Sequence, residues 1–328
     1  MPQITYLEAG LRAISEEMRS DPRVFVMGQD MQAGLYGPLA AKGVAEFGLE
    51  RIRDTPISET GFFGAAIGAA LTGMRPVVEA TFATFLYSAM DQIVNQAAKS
   101  RYMFGGQASV PVVIRSHVSY TAGSAAHHSD RNWGVFAQIP GLKIVVPATP
   151  YENKGLTKAA IRDGNPVLCF QDATLFGRKD EVPDDDYTVP IGVADVKRRG
   201  TDLTIVALAA AVHHSLAAAQ KLEVEGISAE VVDVRTVVPL DRQTILASVA
   251  KTGRLIVVDP APGMCSVASE VAATAAEHAF KHLKAPIVRL TAPDIPVPFS
   301  PDLERLMYPT AEGIAAAARN LCGRRELA

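Results

Sequence analysis

The chain has no block of basic residues. Its 328 residues carry 32 Lys and Arg against 35 Asp and Glu, a formal charge of −3. A nucleic-acid partner is therefore not expected, because phosphate-binding surfaces need a concentrated positive field. Long apolar runs are also missing. Each stretch meets a charge or a glycine before about 18 residues, so no membrane span is expected. The opening Met1-Pro2-Gln3 lacks a basic-then-apolar leader, which argues against secretion. Cysteine is scarce. Cys169, Cys265 and Cys322 are an odd, scattered set that fits neither a disulfide framework nor a zinc site, and a reducing cytoplasm is the default. Three signatures are absent: G-x-G-x-x-G after a strand, G-x-x-x-x-G-K-[ST], and G-x-S-x-G. An α/β chain without its own phosphate-cradling loop is poorly equipped to hold a nucleotide or a diphosphate alone.

What is present reads as two domains. Apolar residues make up 48% and charged residues 20%, as in ordinary α/β proteins. Thr5-Tyr6-Leu7-Glu8 has the form of a capping box. Leu7, Leu11, Ile14 and Met18 then recur at helical spacing, and Asp21-Pro22 stops the helix. Strands are predicted at 24–27, 76–80, 112–115, 142–146 and 166–170, and helices at 59–71, 86–102 and 150–162. Such alternation predicts a mainly parallel sheet covered by helices on both faces. The polar, turn-rich stretch 177–200 reads as a linker. Alternation then resumes from 203 to 290, with Gly226 and Gly253 just past predicted helix ends. Pro293, Pro296, Pro298 and Pro301 read as an extended surface segment. The expected fold class is α/β with two doubly wound domains, 1–176 and 201–328.

Four segments carry side chains suited to chemistry. In Asp54-Thr55-Pro56-Ile57-Ser58-Glu59, Ser58 is a candidate N-cap and Glu59 falls in the first helical turn. There a carboxylate can simply complement the helix dipole. Gly61, Gly64, Ala65, Gly68 and Ala69 then form a stripe of small residues. That stripe points to a close helix–helix contact between subunits, which would put Glu59 near an interface. Phe82 and Phe85 follow a predicted strand, at the carboxyl end where open sheets bind ligands; two core aromatics is the simpler reading of that segment alone. His127-His128-Ser129-Asp130 lies in a small-residue loop. Adjacent histidines do not face the same way, and no Cys or Glu stands at ligand spacing, so zinc is poorly supported. Proton transfer and an idle loop histidine both remain open. Asp163 and Asn165 either close a turn or contribute oxygens to a monovalent-cation cage, and turn chemistry alone favours the former.

In combination these segments resemble the β subunit of the decarboxylating component of 2-oxo acid dehydrogenases, of the pyruvate and acetoin type. The resemblance covers almost the whole chain. It is carried by RDTPISE at 53–59, GMRPVVE at 73–79, MDQIVNQAAK at 90–99 and YMFGG at 102–106. His128-Ser129, PGLK at 140–143, KGL at 154–156 and AIRD at 160–163 continue it, followed by VRT at 234–236 with Pro239 and APDIPVP at 292–298. The resemblance implies a pyrimidine-binding domain followed by a transketolase C-terminal-type domain. It implies thiamine diphosphate held between the subunits of an α2β2 heterotetramer, with the diphosphate and Mg²⁺ on the α subunit. It also implies an acyl group passed to a lipoyl acyltransferase. Glu59 matches the glutamate that bonds the aminopyrimidine, Phe85 the aromatic packed on that ring, Ile57 a backbone contact beside it, and His128 the active-site histidine. The family's potassium site maps onto Val112, Ala160, Ile161, Asp163 and Asn165.

The chain departs from the family pattern at Gln29, where a carboxylate is common, and at Asp130, Arg131, Trp133 and Gln138. The 259–265 loop also differs from the usual Gly-rich form. The expectation is that the 127–138 loop covers the cofactor. Trp133 would then stand at the pocket rim, with Arg131 pairing to Asp130 or to a substrate carboxylate, and a substrate other than pyruvate would be preferred. A two-chain transketolase-like transferase is an alternative enzyme reading. A non-catalytic binding subunit is another, but no fold constraint would retain Glu59 in it.

Overall fold

Thr5 starts the first long helix by accepting a hydrogen bond from the Glu8 backbone N at 3.1 Å. Glu8 does not return the bond as a capping box would; its carboxylate takes the Arg12 guanidinium at 3.0 Å instead. The computed structural model describes residues 2–31, 38–118 and 123–323. The elements of the first compact unit are β1 (Gln3–Thr5), α1 (Tyr6–Ser20), β2 (Val24–Gly28), α2 (Pro38–Phe47), β3 (Ile52–Asp54), α3 (Glu59–Leu71) and β4 (Arg75–Phe82). They continue with α4 (Ala98–Met103), β5 (Val113–Val118), α5 (Trp133–Ala137, shared with the second unit), β6 (Lys143–Val145), α6 (Pro150–Arg162), β7 (Val167–Asp172) and β8 (Lys179–Glu181). The loop after β5 divides: His127–Asp130 belongs to the first unit and Arg131–Val135 to the second.

Six strands of the first unit lie in the order β6-β7-β5-β4-β2-β3, every pair parallel. β2, β5 and β7 are buried at every residue, which is why they read as apolar runs rather than alternating patterns. The chain steps from β2 to β3 on one side and returns to β4 on the other. That reversal makes the crevice at the carboxyl ends of β2 and β4 a topological switch point. The stretch predicted as one helix from 86 to 102 is instead a 3-10 turn (Ala83–Ala89), a π-helical stretch (Gln92–Ala97) and then α4. Helical periodicity does not separate these three windings, and π-helical turns gather at functional sites.

The 177–200 stretch is more ordered than its composition suggests. β8 pairs antiparallel with β1. Asp186 is held by two cations of α6: Lys158, 2% exposed, meets it at 2.6 Å and Glu16 at 2.7 Å, and Arg162 reaches it at 2.7 Å.

In the second unit come β9 (Asp195–Arg198), β10 (Leu203–Ala207), α7 (Ala211–Val224), β11 (Ala229–Asp233), β12 (Thr236–Val238), α8 (Arg242–Thr252) and β13 (Leu255–Pro262). α9 (Val267–Ala279), β14 (Val288–Ala292), α10 (Pro301–Arg305) and α11 (Ala311–Leu321) complete it. Its sheet order is β14-β13-β10-β11-β9, parallel except for β9. Gly253 closes α8 with φ 77°, as expected. Pro301 is the first residue of α10, where proline's missing N–H is harmless. α11 had no counterpart in the sequence reading. Thr310 caps it, and Arg319 ties it to Glu225, just past α7, at 2.8 Å. Among the described residues no helix is long and apolar enough to cross a membrane.

Candidate active site

Gly28 ends β2 under the carbonyl of Glu79; a Cβ there would lie 2.5 Å from that oxygen. Gln29 follows, and among the described residues its buried side-chain oxygen has no hydrogen-bond partner. Beside it β3 delivers Asp54, whose Oδ1 accepts from the Met31 backbone N at 2.8 Å and so holds the β2 loop. α3 starts at Glu59, partly exposed, and among the described residues its carboxylate has no partner. Ser58 occupies the N-cap without making a side-chain capping bond. Next to Glu59, the Thr60 hydroxyl donates to the Ser88 carbonyl at 2.6 Å, which fixes the helix start against the turn after β4.

That turn begins with a backbone irregularity. Thr81 is buried with φ 60°, a left-handed conformation rare for a β-branched residue, and the β4–β5 register shifts before Phe82. Such strain is found where a side chain must be re-aimed. Here it brings Phe82 and Phe85 together edge-on, ring centroids 5.3 Å apart. Both meet His128. The Phe82 ring stands perpendicular to the imidazole at 4.5 Å, and Phe85 lies at 5.6 Å. The Thr84 hydroxyl donates to the His127 carbonyl. Tyr87 donates to Asp130 at 3.3 Å. Burial raises the Asp130 pKa, and Tyr87 and His127 only partly offset it.

Phe82, Phe85 and His128 therefore form one cluster at the carboxyl end of the sheet, with Glu59 held nearby through Thr60. The Ile57 side chain is 77% exposed. The small-residue stripe forms the outer face of α3: Gly61, Ala65 and Gly68 are exposed, whereas Phe62, Phe63, Ala66, Ile67 and Ala70 point inward and are buried.

The other predicted residues lie at the opposite, amino end of the same sheet. Val112 precedes β5, while Ala160, Ile161, Asp163 and Asn165 flank the end of α6 and the start of β7. Their oxygens are engaged. Val112 O accepts from Val167 N at 3.0 Å, and Ala160 O from Asp163 N at 3.2 Å. Arg75 Nη1 donates to Ile161 O at 2.7 Å and to Asp163 O at 3.1 Å. Lys143 pairs with the Asp163 carboxylate, and Arg101 bonds Asn165 Oδ1 at 2.9 Å. Burial pulls the Asp163 pKa upward, but Lys143 and Asn165 outweigh it and the carboxyl sits below its ordinary value.

One expectation is overturned. Trp133 is no rim residue: it is 0% exposed. Arg131 does not pair with Asp130; its guanidinium stacks 3.9 Å over the Tyr308 ring. An indole taken up into a core narrows no pocket, so the substrate preference drawn from it loses its ground. The sequence reading also missed Thr60 and Thr81. A hydroxyl that reaches a carbonyl 28 residues away leaves no local pattern, and neither does a left-handed threonine.

Comparison with known proteins agrees with this architecture. Residues 2–175 match the family described as transketolase, pyrimidine binding domain, and residues 192–314 match transketolase, C-terminal domain. The class is thus a transketolase-type chain of two α/β domains. A split-gene transketolase solved as an inactive β4 tetramer superposes with a TM-score of 0.81 at 26% identity, covering 98% of this chain and 99% of its own. Closer in sequence is the acetoin:2,6-dichlorophenolindophenol oxidoreductase subunit beta of Bacillus subtilis, 46% identical over 98% of this chain and 97% of that protein. The 2-oxoisovalerate dehydrogenase subunit beta of the same organism is 45% identical over 98% and 99%. The chain belongs to the family of β subunits of 2-oxo acid and acetoin dehydrogenases.

Proposed function

We propose that this chain supplies one half of a thiamine-diphosphate site in an acetoin or 2-oxo acid dehydrogenase, and that an α subunit supplies the other. The observation that carries this is the Glu59 carboxylate at the start of α3, without a partner among the described residues and tied through Thr60 to the turn that holds Phe85 against His128. The chain's residues suit the pyrimidine end of such a cofactor. Gln29 offers a buried oxygen without a partner among the described residues, Phe85 an aromatic ring, and Ile57 an exposed residue beside Glu59. When bound, thiamine diphosphate supplies the carbon nucleophile that adds to a substrate carbonyl. Glu59 holds a proton at a pyrimidine ring nitrogen, and so acts as the acid–base partner for activation. His128 moves a proton at the reacting carbonyl oxygen, and the surrounding Phe82 and Phe85 exclude water from it.

No phosphate-binding loop occurs in this chain, so the diphosphate and Mg²⁺ fall to the α subunit of an α2β2 heterotetramer. A lipoyl acyltransferase is the proposed acyl acceptor. The free cysteines suit a reducing, cytoplasmic compartment. Potassium at Val112, Ala160, Ile161, Asp163 and Asn165 has the right donor type, since a carbonyl that accepts one bond retains a second lone pair. Arg75 and Lys143 are its competitors there. The identity of 46% to an acetoin enzyme subunit, against 26% to a split transketolase, favours the dehydrogenase over the transferase reading.

The test is Glu59→Gln in the reconstituted enzyme. The carboxamide keeps the shape but cannot hold the proton, so deuterium exchange at the cofactor's reactive carbon should slow by on the order of 10²–10⁴. Exchange at the wild-type rate would remove Glu59 from the mechanism.

A further inference from the structure

One short turn carries both ends of the candidate site. The 3-10 turn Ala83–Ala89 follows the left-handed Thr81 and is 7 residues long. Runs of this winding beyond about four residues are uncommon, because their hydrogen bonds are poorly aligned. A turn of that length needs ties from outside, and side chains supply them. From α3, Thr60 donates to the Ser88 carbonyl at 2.6 Å, one residue along from Glu59. Towards the His128 segment, the Thr84 hydroxyl donates to the His127 carbonyl, and Tyr87 donates to Asp130 at 3.3 Å. All of these residues lie in the first compact unit.

These contacts do not hold the imidazole equally. Phe82 and Phe85 meet His128 edge-on, with centroids at 4.5 Å and 5.6 Å. Such ring pairs are favourable over separations of about 4.5–7 Å, so they cage the imidazole without fixing it. The Tyr87 bond is long for one between two oxygens, whose usual range ends near about 3.0 Å. The Thr84 bond is the directional one. Its acceptor belongs to the peptide that joins His127 to His128, the group from which the imidazole hangs.

We propose that Thr84 is a positioning residue for His128: it fixes the His127–His128 peptide to the turn that also anchors the start of α3, and so sets the imidazole relative to Glu59. This rests on the reading that His128 acts on the substrate carbonyl.

Thr84→Val keeps the shape and removes the donor. Assembled with its α subunit, the variant should lose about 10- to 100-fold in kcat with KM little changed, as expected when a catalytic group is misplaced by about an ångström. Thr84→Ser restores the donor and should recover most of that loss. Deuterium exchange at the cofactor's reactive carbon depends on Glu59 and should stay at the wild-type rate in Thr84→Val. In a His128→Ala background, adding Thr84→Val should not lower the residual kcat further, because a residue acting through another has no effect once that one is gone. One readout needs no turnover. In the cofactor-free assembly, diethyl pyrocarbonate should modify the half-buried His128 several-fold faster in Thr84→Val than in the wild type, with the exposed His127 as reference in peptide mass spectrometry.

Wild-type kcat in Thr84→Val would overturn the proposal. So would an equal loss in the His128→Ala background, an unchanged modification rate, or exchange that slows in step with kcat, the mark of a general disturbance. Thr84 is half-buried, so Thr84→Ala can take the same measurements if valine prevents assembly. Full activity in His128→Ala alone would reject the role of His128. Lost activity there with a normal Thr84→Val enzyme would reject the positioning role only.

Discussion

His117 illustrates how a single buried group shapes stability. It sits fully buried in β5 with its ring edge-on to Phe176 at 4.8 Å. Burial, aided by the charge of Arg115, depresses its pKa to about 3. The folded state therefore favours the neutral imidazole. Its contribution is present above the ordinary value of 6.5 and is lost as pH falls from there towards 3. Wild-type stability should drop by about 2 kcal/mol between pH 6.5 and pH 5 from this group alone. In His117→Gln that component should vanish. Urea midpoints of the two proteins across this range check it, and parallel curves would remove His117 as the cause. Asp259 acts in the opposite sense: with a pKa raised from 3.8 to about 6, it takes stability away as pH rises through that window. Taking the difference between wild type and variant isolates His117.

At the scale of elements, α3 presents two contrasting faces. The inward one is buried; the outward one has almost no side chains, and a Cβ at Gly68 would meet nothing within 4 Å. Gly68→Leu should leave the chain folded and raise helix stability by about 0.5–1 kcal/mol, since glycine is a poor helix former. If the bare face is where a second subunit lies against α3, the same change should abolish assembly with the α subunit in size-exclusion chromatography. Normal assembly would place the contact elsewhere. The potassium question also belongs to this scale, because the proposed donors join the end of α6 to the starts of β5 and β7. A bound ion stabilises the native state by mass action. Melting in KCl should exceed melting in tetramethylammonium chloride at equal ionic strength. Identical values would show that Arg75 and Lys143 already fill the place.

For the molecule as a whole, the missing phosphate loop has a direct consequence. The isolated chain should bind Mg²⁺–thiamine diphosphate weakly and show no turnover until an α subunit is added. Calorimetry with tight binding by this chain alone would refute the shared-site reading. The legible part of the architecture was the part written locally. α3 and α6 run over the predicted 59–71 and 150–162 because their signals are local: Pro56 and Ser58 before one, Thr149 and Pro150 at the other, where Thr149 and Glu152 form a full capping box. The 86–102 segment misled because 3-10, π and α windings share nearly the same apolar spacing. α11 was overlooked where a proline-rich stretch drew the reading towards extended structure.

The sequence by itself determined the two open α/β domains, since strand burial and helix amphipathicity repeat over short distances along the chain. It also determined the lack of a phosphate cradle and placed Glu59 at a helix start. The tertiary structure alone decided that Phe82 and Phe85 turn onto His128 rather than into the core, and that the Asp163 cluster lies at the other end of the sheet from Glu59. It decided as well that Trp133 is buried and does not stand at a pocket rim. Each of these depends on which loop meets which strand end. An indole leaves solvent only where residues far along the chain close over it, and no local pattern records that outcome.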